Sequence, residues 1–152
     1  MSQSNMNADP IALELTALVD EYNNALNQGR GPFDLARAAH LYKRDDQFTA
    51  YDLSPPNAGY VGWKEYERAW YEIMSNYASF HIKANDDLRI GHRGDMAWTA
   101  FSFKVWGERQ GGAAYDAEGR ATLVWLREGA RWLITHEHVS TPRQPPTPSR
   151  AV

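Results

Sequence analysis

From Phe80 onward the sequence stops repeating at helical spacing and runs in long β-prone stretches separated by short turns. The stretches are Ser79 to Ile90, Met96 to Glu108, Ala121 to Arg127 and Trp132 to Ser140. Glycine marks the breaks, in Gly91-His-Arg-Gly-Asp95, at Gly111-Gly112 and Gly119, and in Glu128-Gly129-Ala130. Connections this short join antiparallel neighbours, so a four-stranded meander is expected. The long second stretch is apolar on both parities, with Ala97, Thr99, Phe101, Phe103 and Val105 alternating with Trp98, Ala100, Ser102 and Trp106. Such a sheet has to be covered on both faces.

The cover for one face lies upstream. Asp9-Pro10 is a helix start, because Asp caps free backbone N–H groups and Pro fits a first turn that needs no donor. Ile11, Leu15, Leu18, Val19, Tyr22 and Leu26 follow at helical spacing, up to a break at Gly29-Arg30-Gly31-Pro32. A short second helix is expected over Phe33 to Tyr42, a short strand over Gln47 to Asp52, and a loop over Ser54 to Gly59. A third helix begins near Trp63 and presents Trp63, Tyr66, Trp70, Ile73, Met74 and Tyr77, an aromatic stripe that reads either as a cavity wall or as plain core. All helices precede the meander, so a second subunit is expected on the other sheet face, most simply in a homodimer.

The length of 152 residues, 43% of them hydrophobic, fits one domain. Its expected bounds are residues 9–142, between a disordered N-terminus over 1–8 and a Pro-rich tail over 143–152. A formal charge of −3, from 16 basic and 19 acidic residues mixed along the chain, offers no basic stripe for nucleic acid. With no cysteine, disulfides, thiolate nucleophiles and thiolate metal sites are excluded. No stretch approaches the roughly 18 apolar residues of a membrane span, and the N-terminus lacks a basic start with an apolar run. The expectation is a cytoplasmic protein that binds no membrane.

Three segments carry a family resemblance: Thr122-Leu-Val-Trp-Leu-Arg127, Glu128-Gly-Ala-Arg-Trp132 and Ile134-Thr-His-Glu-His-Val-Ser140. They resemble the T-x-V-W…W-x-I-x-H-x-H-x-S pattern of SnoaL-like proteins and of the association domain of calcium/calmodulin-dependent protein kinase. Thr49-Ala-Tyr-Asp52 and Gly62 resemble that association domain as well. The resemblance covers residues 10–142. It implies an α+β fold, the cystatin-like or nuclear transport factor 2-like cone, in which N-terminal helices pack on a curved antiparallel sheet and close an internal pocket. It also implies two classes of function. One is a small-molecule-binding protein or a cofactor-free acid–base enzyme of the isomerase, dehydratase or cyclase kind, related to ketosteroid isomerase. The other is a non-catalytic homo-oligomerisation module.

In the resembling association domain the pocket takes arginines from three strand positions, which fall here at Ser102, Leu123 and Val139, and helix residues that fall at Met74 and Tyr66. None of the arginines is present, so bidentate carboxylate binding is not expected. The same carry-over places Trp98, Ala100, Ser102, Lys104, Leu123, Trp125, Thr135, Glu137 and Val139 on the concave face. With Tyr51, Tyr66, Trp70 and Met74 they make a mostly neutral aromatic cavity for an apolar or aromatic small molecule. Glu137 is the candidate acid–base residue, since a desolvated carboxylate exchanges protons near neutral pH; the alternative is a rim glutamate paired with Lys104 or an arginine. Asp52 is a second carboxylate, near the pocket mouth or capping its loop.

His136 and His138 share a strand face, a spacing that suits a metal only with a third ligand, and none is evident, so no metal is expected. By parity they lie opposite Glu137. The alternative is a β-bulge between Trp125 and His138, which would reverse that parity and bring the histidines into the cavity as bases. No phosphate-binding glycine loop or nucleophile elbow is present, and no cofactor is expected.

Overall fold

Asp9 opens the first helix, α1 (Pro10–Leu26), by accepting the backbone N–H groups of Ile11 at 3.0 Å and Ala12 at 3.3 Å. Leu15, Val19, Tyr22 and Leu26 form its buried stripe. In the computed structural model, which describes residues 8–143, the chain continues through β1 (Gly29–Arg30), α2 (Ala36–Ala39), β2 (Thr49–Tyr51), β3 (Tyr60–Val61) and α3 (Trp63–Met74). Then come β4 (Tyr77–Ala84), β5 (Arg89–Arg93), β6 (Met96–Arg109), β7 (Ala114–Glu128) and β8 (Arg131–Ser140). The disorder expected over 1–8 falls, apart from Ala8, outside the described residues, as does the Pro-rich tail beyond Arg143.

The strands join in one sheet in the order β1-β4-β6-β7-β8-β2-β3, with β5 also on β6. Short hairpins make β6, β7 and β8 antiparallel, as expected. The sheet is nonetheless mixed, because β2 runs parallel to β8, with Thr49 opposite His136 and Tyr51 opposite His138. The long intervening chain permits that pairing.

The stretch expected as one strand from Ser79 to Ile90 is two. β4 lies against Phe103–Arg109 of β6 and β5 against Met96–Ala100, both on the same edge. Between them Asn85 donates to Ser102 Oγ at 2.7 Å, and Asp87 accepts the Ser102 N–H at 2.9 Å. By taking the Ser102 backbone N–H, the Asp87 side chain competes with the ladder and interrupts it. The second helix is likewise shorter than expected. Helices α1 and α3 cover one face and bury a single core that runs from Leu15 and Val19 through Tyr66 and Trp70 to Trp125 and Ile134.

Candidate functional site

Two cross-strand rows decide which side chains meet under the helices. In one, Ala50, Glu137, Leu123 and Thr99 stand side by side on β2, β8, β7 and β6, and none is more than 1% exposed. In the next, Thr49, His136, Val124 and Trp98 are partnered on the opposite, outer face. A β-bulge is present: Trp125 pairs with Ile134 and Val124 with His136, leaving Thr135 as the extra residue. It lets Trp132 and Ile134 point inward on one side of the bulge and Glu137 on the other. The histidines therefore stay outside, and the bulge does not bring them into the cavity.

Glu137 is fully buried, and its hydrogen-bond partners are tyrosines from three different elements. Tyr22 on α1 donates to Oε2 at 3.2 Å, Tyr42 just after α2 donates to Oε2 at 2.7 Å, and Tyr66 on α3 donates to Oε1 at 2.6 Å. Tyr42 is placed by a bridge to Ile134 and by its ring packing against Trp63 at 4.9 Å. Phe48 packs on Tyr66 at 5.2 Å. Burial pushes the Glu137 carboxyl up to about 7, while the hydroxyls of Tyr66 and Tyr42 pull the other way by stabilising the charged form. The three phenols are held well above their ordinary range by burial and by the carboxylate beside them, so they act as donors.

Tyr66 also reaches Asp52, whose Oδ2 lies 3.3 Å from the same hydroxyl. Burial raises the Asp52 carboxyl above its usual value. Asp52 and Tyr22 line a cavity of about 220 Å³, together with Trp70, Met74, Phe103 and Val139, whereas Glu137 stands behind its wall. Trp70 keeps a buried Nε1–H with no partner among the described residues. At the far side Arg109 lies over the rings of Tyr77 and Tyr115, 5.2 and 5.8 Å from their centroids.

The expected site residues separate into two groups. Tyr66, Trp70, Met74, Leu123, Trp125, Glu137 and Val139 are on the helix-covered side, and of these Trp70, Met74 and Val139 line the cavity. Leu123 and Trp125 are closed off in the core, where Trp125 Nε1 donates to Thr99 Oγ1 at 3.0 Å. Trp98, Ser102, Ala100 and Lys104 require correction: Leu123 pairs with Thr99, so the odd-numbered residues of β6 share its face and these four stand outside. Tyr51 is also outside, 46% exposed, because Ala50 takes the inward position next to Glu137. Thr135 leaves the inner set at the bulge. Lys104 lies near Glu118 at 3.8 Å, so it is not the partner of Glu137.

His136 and His138 sit beside Tyr51 on the outer face, with His136 Nδ1 2.7 Å from Thr49 Oγ1. Among the described residues no group of three or more His, Cys, Asp or Glu is placed to hold a metal ion. No helix among them is long and apolar enough to cross a membrane. Tyr22 and Tyr42 were not singled out as site residues in the sequence. Tyr22 lay in the apolar stripe of the first helix, where a phenol is indistinguishable from core.

The fold has counterparts among solved structures. A nuclear transport factor 2-like superfamily protein from Salmonella enterica is 18% identical, with a TM-score of 0.76 over 93% of this chain and 97% of that one. The association domain of C. elegans calcium/calmodulin-dependent protein kinase II is 19% identical, with a TM-score of 0.56 over 86% and 92% of the two chains. A Shewanella frigidimarina protein assigned as a ketosteroid isomerase is 21% identical, with a TM-score of 0.64 over 82% and 92%. No curated protein matches in sequence. At these identities the likeness establishes the fold alone. The protein has the nuclear transport factor 2-like fold, and the sequence model of the SnoaL-like domain matches residues 15–144, most of the chain, so it belongs to that family.

Proposed function

We propose that this protein binds a small, mostly apolar molecule in the cavity under α3 and performs cofactor-free acid–base chemistry on it, of the isomerase, dehydratase or cyclase kind. The observation that carries the reading is a fully buried carboxylate bonded only by tyrosine hydroxyls, with a second carboxylate, Asp52, on the cavity wall. A buried glutamate kept for structure alone is ordinarily matched by a cation. Glu137 has none among its bonding partners, and its carboxyl titrates at about 7, where a group exchanges protons in either direction.

A volume of about 220 Å³ is below the roughly 300–1,000 Å³ of drug-sized sites and suits one or two rings. Ligand-observed NMR with a panel of one- and two-ring ketones and phenols tests the reading. Saturable binding by the natural chain and its loss in Val139→Phe, with the fold intact by circular dichroism, are expected. Binding that Val139→Phe leaves unchanged places the ligand elsewhere and overturns it.

A second reading is favoured by the outer face. Met96, Trp98 and Trp106 lie there on one strand, 44%, 45% and 41% exposed, and the Trp98 ring lies against Gly91, where a Cβ would come within 2.4 Å of it. The proposal is a homodimer closed over this face, with or without chemistry in the cavity. Sedimentation of the natural chain and of Trp98→Glu reads it directly: a dimer is expected for the first and a folded monomer for the second, and a monomeric natural chain at micromolar concentration removes it.

A further inference from the structure

Tyr66 has one hydroxyl proton and two carboxylates to serve. Its oxygen lies 2.6 Å from Glu137 Oε1 and 3.3 Å from Asp52 Oδ2. The remaining oxygens are already occupied: Glu137 Oε2 accepts Tyr42 and Tyr22, and Asp52 Oδ1 accepts the Leu53 N–H at 2.6 Å. A hydroxyl donates a single hydrogen bond. With both carboxylates ionised, two negative charges would flank an oxygen able to satisfy only one of them.

One added proton satisfies both contacts, and in two ways. On Glu137 Oε1 it is donated to the Tyr66 oxygen, and Tyr66 donates to Asp52. On Asp52 Oδ2 it is donated to the same oxygen from the other side, and Tyr66 donates to Glu137. Among the described residues no cation bonds to either carboxylate to settle the matter. The groups facing the pair are Tyr22 from α1, Tyr42 from the segment after α2, Tyr66 from α3 and, near Asp52, Tyr60 from β3. Arg109 lines the same cavity at the β6 end, over the Tyr77 and Tyr115 rings. His136 and His138 flank Glu137 in sequence but belong to the outer face.

We propose that Asp52 and Glu137 share one proton across the Tyr66 hydroxyl, so that Asp52 meets the ligand as base or as acid and Glu137 is its buried proton reserve. This rests on the acid–base reading of the cavity. Converting one form to the other breaks the Glu137 O–H and Tyr66 O–H bonds and makes a new Tyr66 O–H and an Asp52 O–H. The negative charge passes from Asp52 to Glu137, and no proton is gained or lost. In the first form Asp52 takes a proton from a ligand, whose bonding electron pair stays on the ligand. In the second it delivers one. Asp52 is thereby the catalytic residue, and Tyr66 and Glu137 act through it.

The test is carboxyl-carbon NMR of the full chain, following Asp52 Cγ and Glu137 Cδ against pH without any ligand. In the natural chain each signal is expected to show both inflections of a coupled pair. Tyr66→Phe is expected to leave one inflection in each. Asp52→Asn, which alters a cavity-wall residue outside the dry core, is expected to give Glu137 a single inflection moved to lower pH by about one pH unit. A Glu137 curve that Asp52→Asn leaves unchanged overturns the shared proton, including in the case where Tyr66→Phe does not fold. Coupled titration in a chain that binds no ligand upholds the pair and removes the function. Ligand binding with independent titrations removes the pair alone.

Discussion

Three consecutive residues of β8 show how differently the two faces of this sheet treat ionisable groups. Glu137 points under the helices, is 0% exposed, and is pushed up to about 7 by burial. His136 and His138, one step to either side, point outward; His136 is pushed down by partial burial and by the charge of His138. Backbone and strand are the same for all three, so the covering layer makes the difference. α1, α3 and the segment holding Tyr42 bring three hydroxyls to Glu137 and exclude water, whereas Thr49 and Tyr51 only partly cover the histidines. Titration behaviour is here a property of the layer that folds over a strand, more than of the residue on it.

Replacing the inner and outer neighbours should break or confirm this contrast most strongly. Glu137→Leu leaves the buried Tyr22 and Tyr42 hydroxyls without their acceptor, while Tyr66 keeps Asp52, and is expected to cost about 3–5 kcal/mol in urea unfolding. His138→Leu is expected to stay within about 0.5 kcal/mol. Equal losses at the two positions would contradict the difference between the faces.

The pH dependence comes next. Because the folded-state value of Glu137 lies near 7 and the unfolded one near 4.5, the folded protein holds a proton that the unfolded chain has released between those values. Stability from this group is thus fully present below pH 4.5 and lost as pH rises through 7, by about 3 kcal/mol in total. Glu137→Gln, which does not titrate, should gain on the natural chain by that amount from pH 4.5 to 8. A constant difference across the range would mean an ordinary carboxylate.

The smallest effect belongs to Tyr22→Phe. It removes the longest of the three hydrogen bonds, 3.2 Å, and should cost about 1 kcal/mol. Losing a donor to the charged form should also move the Glu137 midpoint upward in a carboxyl NMR titration. A downward movement would show that Tyr22 does not stabilise the carboxylate.

Much of the architecture was legible in the sequence, because turn glycines and the Asp9-Pro10 start leave few alternatives. The parity of β6 was not. Phe101 and Phe103 on one side and Trp98 and Trp106 on the other are equally apolar, so only the register of Thr99 against Leu123 decides which set faces the helices. The break at Asn85–Leu88 depends on Asp87 and Asn85 finding Ser102 across the sheet, a contact that no local pattern displays. In the site, Glu137 and Asp52 stood out as carboxylates among aromatics. Tyr22 and Tyr42 did not, since their hydroxyls acquire a purpose only when three distant segments, up to 115 residues from Glu137, converge on it.

The account rests on the inner face being the ligand site and the outer face a surface for another subunit. A crystal structure of the protein grown with a one- or two-ring ketone that it binds tests this most directly. The expected result is the ring enclosed by Trp70, Met74 and Val139, with its oxygen within hydrogen-bond distance of Asp52. A ring seated only against Trp98 and Trp106, with the inner cavity closed by its own side chains, would contradict it.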